Sequence, residues 1–158
     1  MATQYKNLSA FSVDQLPDVS QKTFAVLVSE WNEEITNRLA EGALATLQQH
    51  GVSDERIVQY RVPGSFELPL AAQKMAAQSD VDAVICLGCV IQGETPHFDY
   101  VCQAVALGIK DVGLKYDKPV VFGVLTTDDM QQARDRAGGR HGNKGDEAAM
   151  TAIKMLAF

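Results

Sequence analysis

Ala83-Val84-Ile85-Cys86-Leu87-Gly88-Cys89-Val90-Ile91 runs through Gln92-Gly93-Glu94-Thr95 into Pro96-His97-Phe98-Asp99-Tyr100, carrying an apolar stretch directly into the start of a helix. Near-continuous hydrophobicity of this kind is expected of a strand buried on both faces, as in a parallel sheet covered by helices. Thr95 fits the N-cap, Pro96 the first helical position, where its missing N–H costs nothing, and His97 the first turn. Such a helix start holds unpaired N–H groups and the positive end of the macrodipole, which suits it to a phosphate. A titratable base beside an anion site points to chemistry on a phosphorylated small molecule.

Outward from this stretch the pattern repeats. Residues 24–29, 57–62 and 120–126 read as three more apolar, β-rich strands, and helical stretches alternate with them. Ile35, Leu39, Ala43 and Leu47 recur at four-residue spacing with Gly51 as a stop. Further helices are expected over 67–78, over 96–114, and from Met130 onward with an interruption at Gly138-Gly139. Alternating β and α elements predict an α/β fold, a three-layer α/β/α sandwich around a four-stranded parallel sheet. Residues 1–158 read as one domain without repeats, and 1–20 read as a loosely structured segment in which 5–9 form a strand pairing elsewhere, a neighbouring subunit included.

Composition narrows the function by exclusion. The 158 residues are 46% apolar and carry a formal charge of −6, which argues against nucleic acid, whose backbone calls for a basic face. No apolar run approaches a membrane span and the N-terminus lacks a signal-peptide core, so a cytoplasmic enzyme or binding protein is expected. Cys86-Leu87-Gly88-Cys89 has CxxC spacing with His97 and Cys102 nearby. Strand side chains three apart face opposite sides of a sheet, however, so buried thiols are expected and no metal. The turn from Gly88 to Gly93 has P-loop glycine spacing, but Glu94 stands where the phosphate-binding lysine belongs. No GxGxxG follows a predicted strand, which disfavours a dinucleotide.

Ligands of open α/β sheets sit outside the carboxyl ends of the strands. The segments expected there are Ser29-Glu30-Trp31-Asn32, Val62-Pro63-Gly64-Ser65-Phe66-Glu67, the Gly93 to His97 turn and Thr126-Thr127-Asp128, with Phe122 closing the pocket from the side. Trp31 beside Asn32 suits stacking and edge recognition of a planar heterocycle, with packing against a neighbouring element or subunit as the alternative. Phe66 carries the same two readings. Ser65 and Glu67 could bind sugar hydroxyls, although Glu67 would equally favour the positive end of its helix. Arg136, in the basic glycine-rich stretch from Arg134 to Gly145, is either a phosphate contact or part of a solvated loop.

Several of these stretches together closely resemble the 6,7-dimethyl-8-ribityllumazine synthase family of riboflavin biosynthesis: Val62-Pro63-Gly64-Ser65-Phe66-Glu67-Leu68-Pro69, Gly93-Glu94-Thr95-Pro96-His97-Phe98-Asp99-Tyr100-Val101, Phe122-Gly123-Val124-Leu125-Thr126, and Arg136-Ala137-Gly138-Gly139 through Gly142-Asn143-Lys144-Gly145. The resemblance implies a flavodoxin-like fold and condensation of 5-amino-6-(D-ribitylamino)uracil with 3,4-dihydroxy-2-butanone 4-phosphate, without a cofactor. It implies that Trp31 and Asn32 meet the pyrimidine, that Ser65, Phe66 and Glu67 hold the ribityl chain and ring edge, and that Cys89, Val90 and Ile91 supply backbone polar groups. Phe122 would complete the aromatic pocket. Glu94, Thr95 and Arg136, with Lys144, would hold the phosphate, and His97 would move protons. It further implies homopentamers with sites shared between subunits, shells of pentamers in some members, and riboflavin synthase as a partner. The short Gly139-Arg140-His141-Gly142 turn matches the shell-forming kind. Trp31 stands where the family usually has phenylalanine, and Arg140 where lysine is common. The competing expectations are a non-catalytic flavin-binding or shell-forming relative, and a phosphosugar isomerase, which would have no use for paired aromatic rings.

Overall fold

The computed structural model describes residues 16–158; the expected strand at 5–9 lies outside the described residues. Chain order is β1 (Phe24–Ser29), α1 (Glu33–Gln49), β2 (Ile57–Val62), α2 (Leu68–Ala76), β3 (Ala83–Ile91), α3 (His97–Tyr116), β4 (Val120–Thr127), α4 (Met130–Asp135), β5 (Ala137–Gly139), β6 (Gly142–Asn143) and α5 (Lys144–Met155). Short 3₁₀ turns precede β2 and α2. The first four strands form one parallel sheet in the order β2-β1-β3-β4.

The pleat sorts the apolar residues of each strand into two cores. Phe24, Val26 and Val28 of β1, with Ile85, Leu87 and Cys89 of β3, pack against the buried faces of α1 and α5. Ala25 and Leu27, with Val84 and Cys86, pack against α2 and α3. Helices therefore cover both faces, giving the flavodoxin-like three-layer sandwich. Cys86 and Cys89 lie on opposite faces, so their side chains cannot converge on one metal. Burial pushes the Cys89 thiol up to about 12 and raises that of Cys86 further.

The stripe Ile35, Leu39, Ala43 and Leu47 is wholly buried. Its helix ends where the sequence indicates: Gly51 takes φ +85°, the N–H of Val52 reaches the Leu47 carbonyl at 3.1 Å and that of Gly51 reaches Gln48 at 3.0 Å. That pair of bonds is a Schellman motif, and its left-handed residue favours glycine.

Four local expectations need correction. Strand β2 is a sheet edge, with Gln59, Tyr60 and Arg61 exposed and only Val62 buried, so it is not covered on both faces. Thr95 does not cap α3; Pro96 takes the cap position, no side chain bonds to this helix end, and the N–H of Asp99 reaches the Pro96 carbonyl at 3.0 Å. Helix α2 is shorter than 67–78, because residues 65–67 coil into a 3₁₀ turn ahead of it. The region after Met130 contains a small antiparallel hairpin between its two helices, with Gly138 at φ +92° and Gly142 at φ +76°. Positive φ at both positions lets the chain reverse tightly there, where the spacing alone indicated only an interruption.

Candidate active site

At the carboxyl end of the sheet lies a pocket of about 360 Å³ lined by Trp31, Asn32, Gly64, Ser65, Phe66, Glu67, Cys89, Val90, Ile91, His97 and Val101. The loops after β1, β2 and β3 converge there because those strands are adjacent and parallel.

The loop after β1 is fixed by backbone bonds. Glu30 donates to the Val62 carbonyl at 2.8 Å and Trp31 to that of Pro63 at 3.3 Å, extending the β1–β2 ladder past the strands. Asn32 then turns left-handed, at φ 59°, a conformation its short polar side chain tolerates better than most. Its carbonyl receives the first N–H groups of α1, from Ile35 at 2.8 Å and Thr36 at 3.1 Å. Its side-chain amide donates to the Cys89 carbonyl at 2.9 Å, tying this loop to β3.

Opposite stands the turn after β2. A β-carbon on Gly64 would sit 3.1 Å from Glu67 Oε2 and 3.4 Å from Trp31 Cδ1. The carboxylate and the indole therefore flank the same backbone, and a β-carbon there would be a tight fit against the carboxylate. Trp31 is 73% and Phe66 59% exposed, so both rings present faces rather than fill the core.

Strand β3 provides the floor. It pairs with β1 only to Leu87 but with β4 as far as Ile91, so its last residues overhang β1. Gln92 donates toward β4, to the Thr127 carbonyl at 2.8 Å. Backbone groups alternate in direction along a strand, so those of Cys89 and Ile91 turn the other way, into the pocket. Asn32 takes the Cys89 carbonyl, and the Ile91 N–H and C=O form a strand-like edge suited to an amide-like ring edge.

His97 opens α3 at the pocket rim, exposed beside the exposed Glu94 and Thr95. Among the described residues, the N–H groups of Gly93, Glu94 and Thr95 donate to no backbone carbonyl. They and the free helix end offer an anion several donors next to the imidazole. Val101, which the motifs did not single out as a site residue, lines the pocket one turn beyond His97; the i, i+4 relation on a helix face points to it.

The remaining expected residues are not brought to this pocket within one chain. Phe122 pairs with Cys86 midway along β4, short of the carboxyl end. It lines a separate groove of about 720 Å³ between α3 and α5 together with Lys144, so it does not close the Trp31 pocket from the side as its position on the last strand had suggested. Arg136 ends α4 and forks onto Glu147, with its Nη atoms 3.0–3.1 Å from the carboxylate oxygens, and it also donates to the His141 carbonyl. Lys144 Nζ lies 3.3 Å from Glu147 Oε2. Burial raises the Glu147 pKa, but hydrogen bonds from Arg136 and the charges of Lys144 and Arg136 outweigh it and hold the carboxyl below the usual glutamate value. Sequence reading missed Glu147, although Lys144 and Glu147 stand at i, i+3 in one helical turn.

Residues 21–158 match the family model described as 6,7-dimethyl-8-ribityllumazine synthase. The chain belongs to that family. The lumazine synthase of Cytophaga hutchinsonii is 59% identical over 157 residues, covering 99% of this chain and 98% of its own. That of Parabacteroides distasonis is 58% identical over 158 residues, covering 100% and 99% respectively, and that of Phocaeicola vulgatus is 52% identical over 158 residues, covering 100% and 94%. Among the described residues no helix is long and apolar enough to cross a membrane.

Proposed function

We infer that this protein condenses 5-amino-6-(D-ribitylamino)uracil with 3,4-dihydroxy-2-butanone 4-phosphate to 6,7-dimethyl-8-ribityllumazine, releasing phosphate and water, as a cytoplasmic enzyme of riboflavin biosynthesis. The observation that carries the reading, beside family membership, is one pocket holding two exposed aromatic rings, a strand-like backbone edge and a histidine beside unpaired N–H groups. The pyrimidine stacks against Trp31 and Phe66 and pairs its edge with Ile91, while Glu67 and the backbone of Ser65 face the ribityl chain. The butanone phosphate rests on the N–H groups from Gly93 to Thr95 and the start of α3, which sets its carbonyl within reach of the pyrimidine amine. His97 relays protons as the amine attacks, phosphate leaves and the ring closes. Holding two reactants in register supplies several powers of ten.

Arg136, Lys144 and Phe122 serve the site from a neighbouring copy, so the complete site spans two subunits of a homopentamer. Two features support this. The three residues lie apart from His97 within one chain, and Tyr100, Leu107 and Leu114 form an exposed apolar stripe along α3 at heptad spacing, the pattern of a helix that packs against its symmetry mates. Closure of pentamers into a shell and uptake of product by riboflavin synthase complete the proposal; sedimentation velocity reads the assembly directly.

The test is lumazine absorbance on mixing both substrates with purified protein, against a control without enzyme because such condensations proceed slowly unaided. Acceleration that falls in both His97→Ala and Arg136→Ala supports the reading. No acceleration with riboflavin still bound would favour the non-catalytic binding or shell-protein alternative.

A further inference from the structure

Two buried hydroxyls stand behind the Phe66 and Glu67 wall of the pocket. Ser29 ends β1 and is 0% exposed; Ser65 opens the 3₁₀ turn and is 5% exposed. Neither Oγ has a hydrogen-bond partner among the described residues. Both border the same side of Gly88, where a β-carbon would sit 2.5 Å from Ser65 Oγ and 3.3 Å from Ser29 Oγ. Leu68 Cδ1, 3.2 Å from the same β-carbon position, borders the two hydroxyls on the apolar side. The only other buried side-chain polar atom without a partner among the described residues is Thr36 Oγ1, in the first turn of α1, so every such atom lies in a segment leaving this end of the sheet.

An unsatisfied buried hydroxyl costs about 1–3 kcal/mol. Two of them beside the same glycine, beneath a ligand pocket, indicate a third group that satisfies both. The two distances to the Gly88 position place the hydroxyls no more than about 6 Å apart, a span that one water with two hydrogen bonds of about 2.8 Å bridges. A substrate atom is the wrong occupant, because both Oγ atoms are sealed from the pocket surface.

We propose that Ser29 and Ser65 share one internal water beside Gly88, and that through it Ser29 positions the turn carrying Phe66 and Glu67 against the pyrimidine. Ser29 touches no substrate; it acts through Ser65. The proposal rests on the assignment of the pyrimidine to the Trp31 and Phe66 pocket, and its test separates the two.

In the assembled enzyme, Ser29→Ala, Ser65→Ala and the double variant are compared by steady-state kinetics with each substrate varied. Each single substitution is expected to raise KM for the ribitylaminouracil about tenfold and to change kcat less than about twofold, with KM for the butanone phosphate unmoved. The double variant should be no worse than the worse single one, since all three lose the same water. A crystal structure of the wild type should show a water bonded to both Oγ atoms, and that of Ser29→Ala should lack it. Unchanged KM in Ser29→Ala, additive losses in the double variant, or no such water in the wild type overturns the proposal. Phe66→Ala is the control for the assignment. If it raises KM for the pyrimidine while Ser29→Ala does not, the assignment stands and the water bridge falls; if Phe66→Ala leaves that KM unmoved, both fall. Ser29→Cys, close in volume, serves if the alanine variant does not fold.

Discussion

Replacing Glu147 by glutamine tests whether the fork between α4 and α5 is a prepared anion clamp. Three contacts of 3.0–3.1 Å join Arg136 to both carboxylate oxygens, and each side chain is 14% exposed. A glutamine keeps one acceptor but turns an NH₂ toward the guanidinium, so at least one charge-assisted bond is lost. Such bonds contribute about 1.5–3 kcal/mol, surface pairs under about 1, and breaking fully buried pairs costs about 3–5. At this partial burial the expected loss is about 2 kcal/mol. For a chain of this length that lowers Tm by about 4–8 °C. Arg136 loses its fixed orientation at the same time, so KM for the butanone phosphate should rise about tenfold while KM for the pyrimidine stays within about twofold. The acid limb gives an independent check. Arg136 and Lys144 hold the Glu147 carboxyl below its ordinary value against the opposing effect of burial. The unfolded chain therefore takes up the proton first on acidification. The stabilisation is complete above the unfolded glutamate value of about 4.3 and disappears as pH falls through the lower folded value. Thermal melts from pH 3 to pH 7 should show the difference between wild type and Glu147→Gln shrinking toward the acid end. A Tm within 1 °C of wild type at neutral pH (about 0.3 kcal/mol), with both KM values unchanged, would refute the clamp.

Other expectations bear on the pocket and the core. His97→Ala should lower kcat by about 10²–10⁴, the usual share of a proton-transfer group, yet leave turnover above the uncatalysed rate; activity indistinguishable from the control, with both substrates bound, would make the imidazole more central than positioning allows. Trp31→Phe should weaken riboflavin binding about fivefold by removing stacking area, read from quenching of flavin fluorescence, and unchanged affinity would count against stacking at this ring. Iodoacetamide at pH 8 should leave Cys86 and Cys89 unmodified in the folded protein, since both thiols are buried and their pKa values raised; mass spectrometry showing native-state labelling at Cys86 would contradict the buried assignment.

Strand and helix positions were legible because they are local properties. The apolar runs gave β1 and β3 their observed bounds and β4 all but its last residue, and the four-residue stripe gave the buried face of α1. The pocket residues after β1, β2 and β3 were legible for a related reason: parallel adjacent strands must deliver their following loops to one end. Thr95 was misread because capping depends on where the first helical hydrogen bond forms: Pro96, one residue later, takes the cap position and has no side-chain acceptor, so the first N–H groups of α3 stay free. Ser29 looked like the end of an apolar strand, and only the tertiary structure brings its buried hydroxyl beside that of Ser65 at Gly88.

The sequence by itself determined the α/β alternation, the double burial of the central strands and the strand-to-helix junction that presents His97, since each follows from side-chain periodicity and helix-end chemistry within a few residues. Tertiary structure alone decided that β2 and β4 are the edges, that Asn32 secures the overhanging end of β3, and that Arg136 is held by Glu147 in a region apart from His97. Those outcomes depend on which distant segments pack together. Spacing along the chain does not encode that choice, because it is made by complementary burial and charge between elements far apart in sequence.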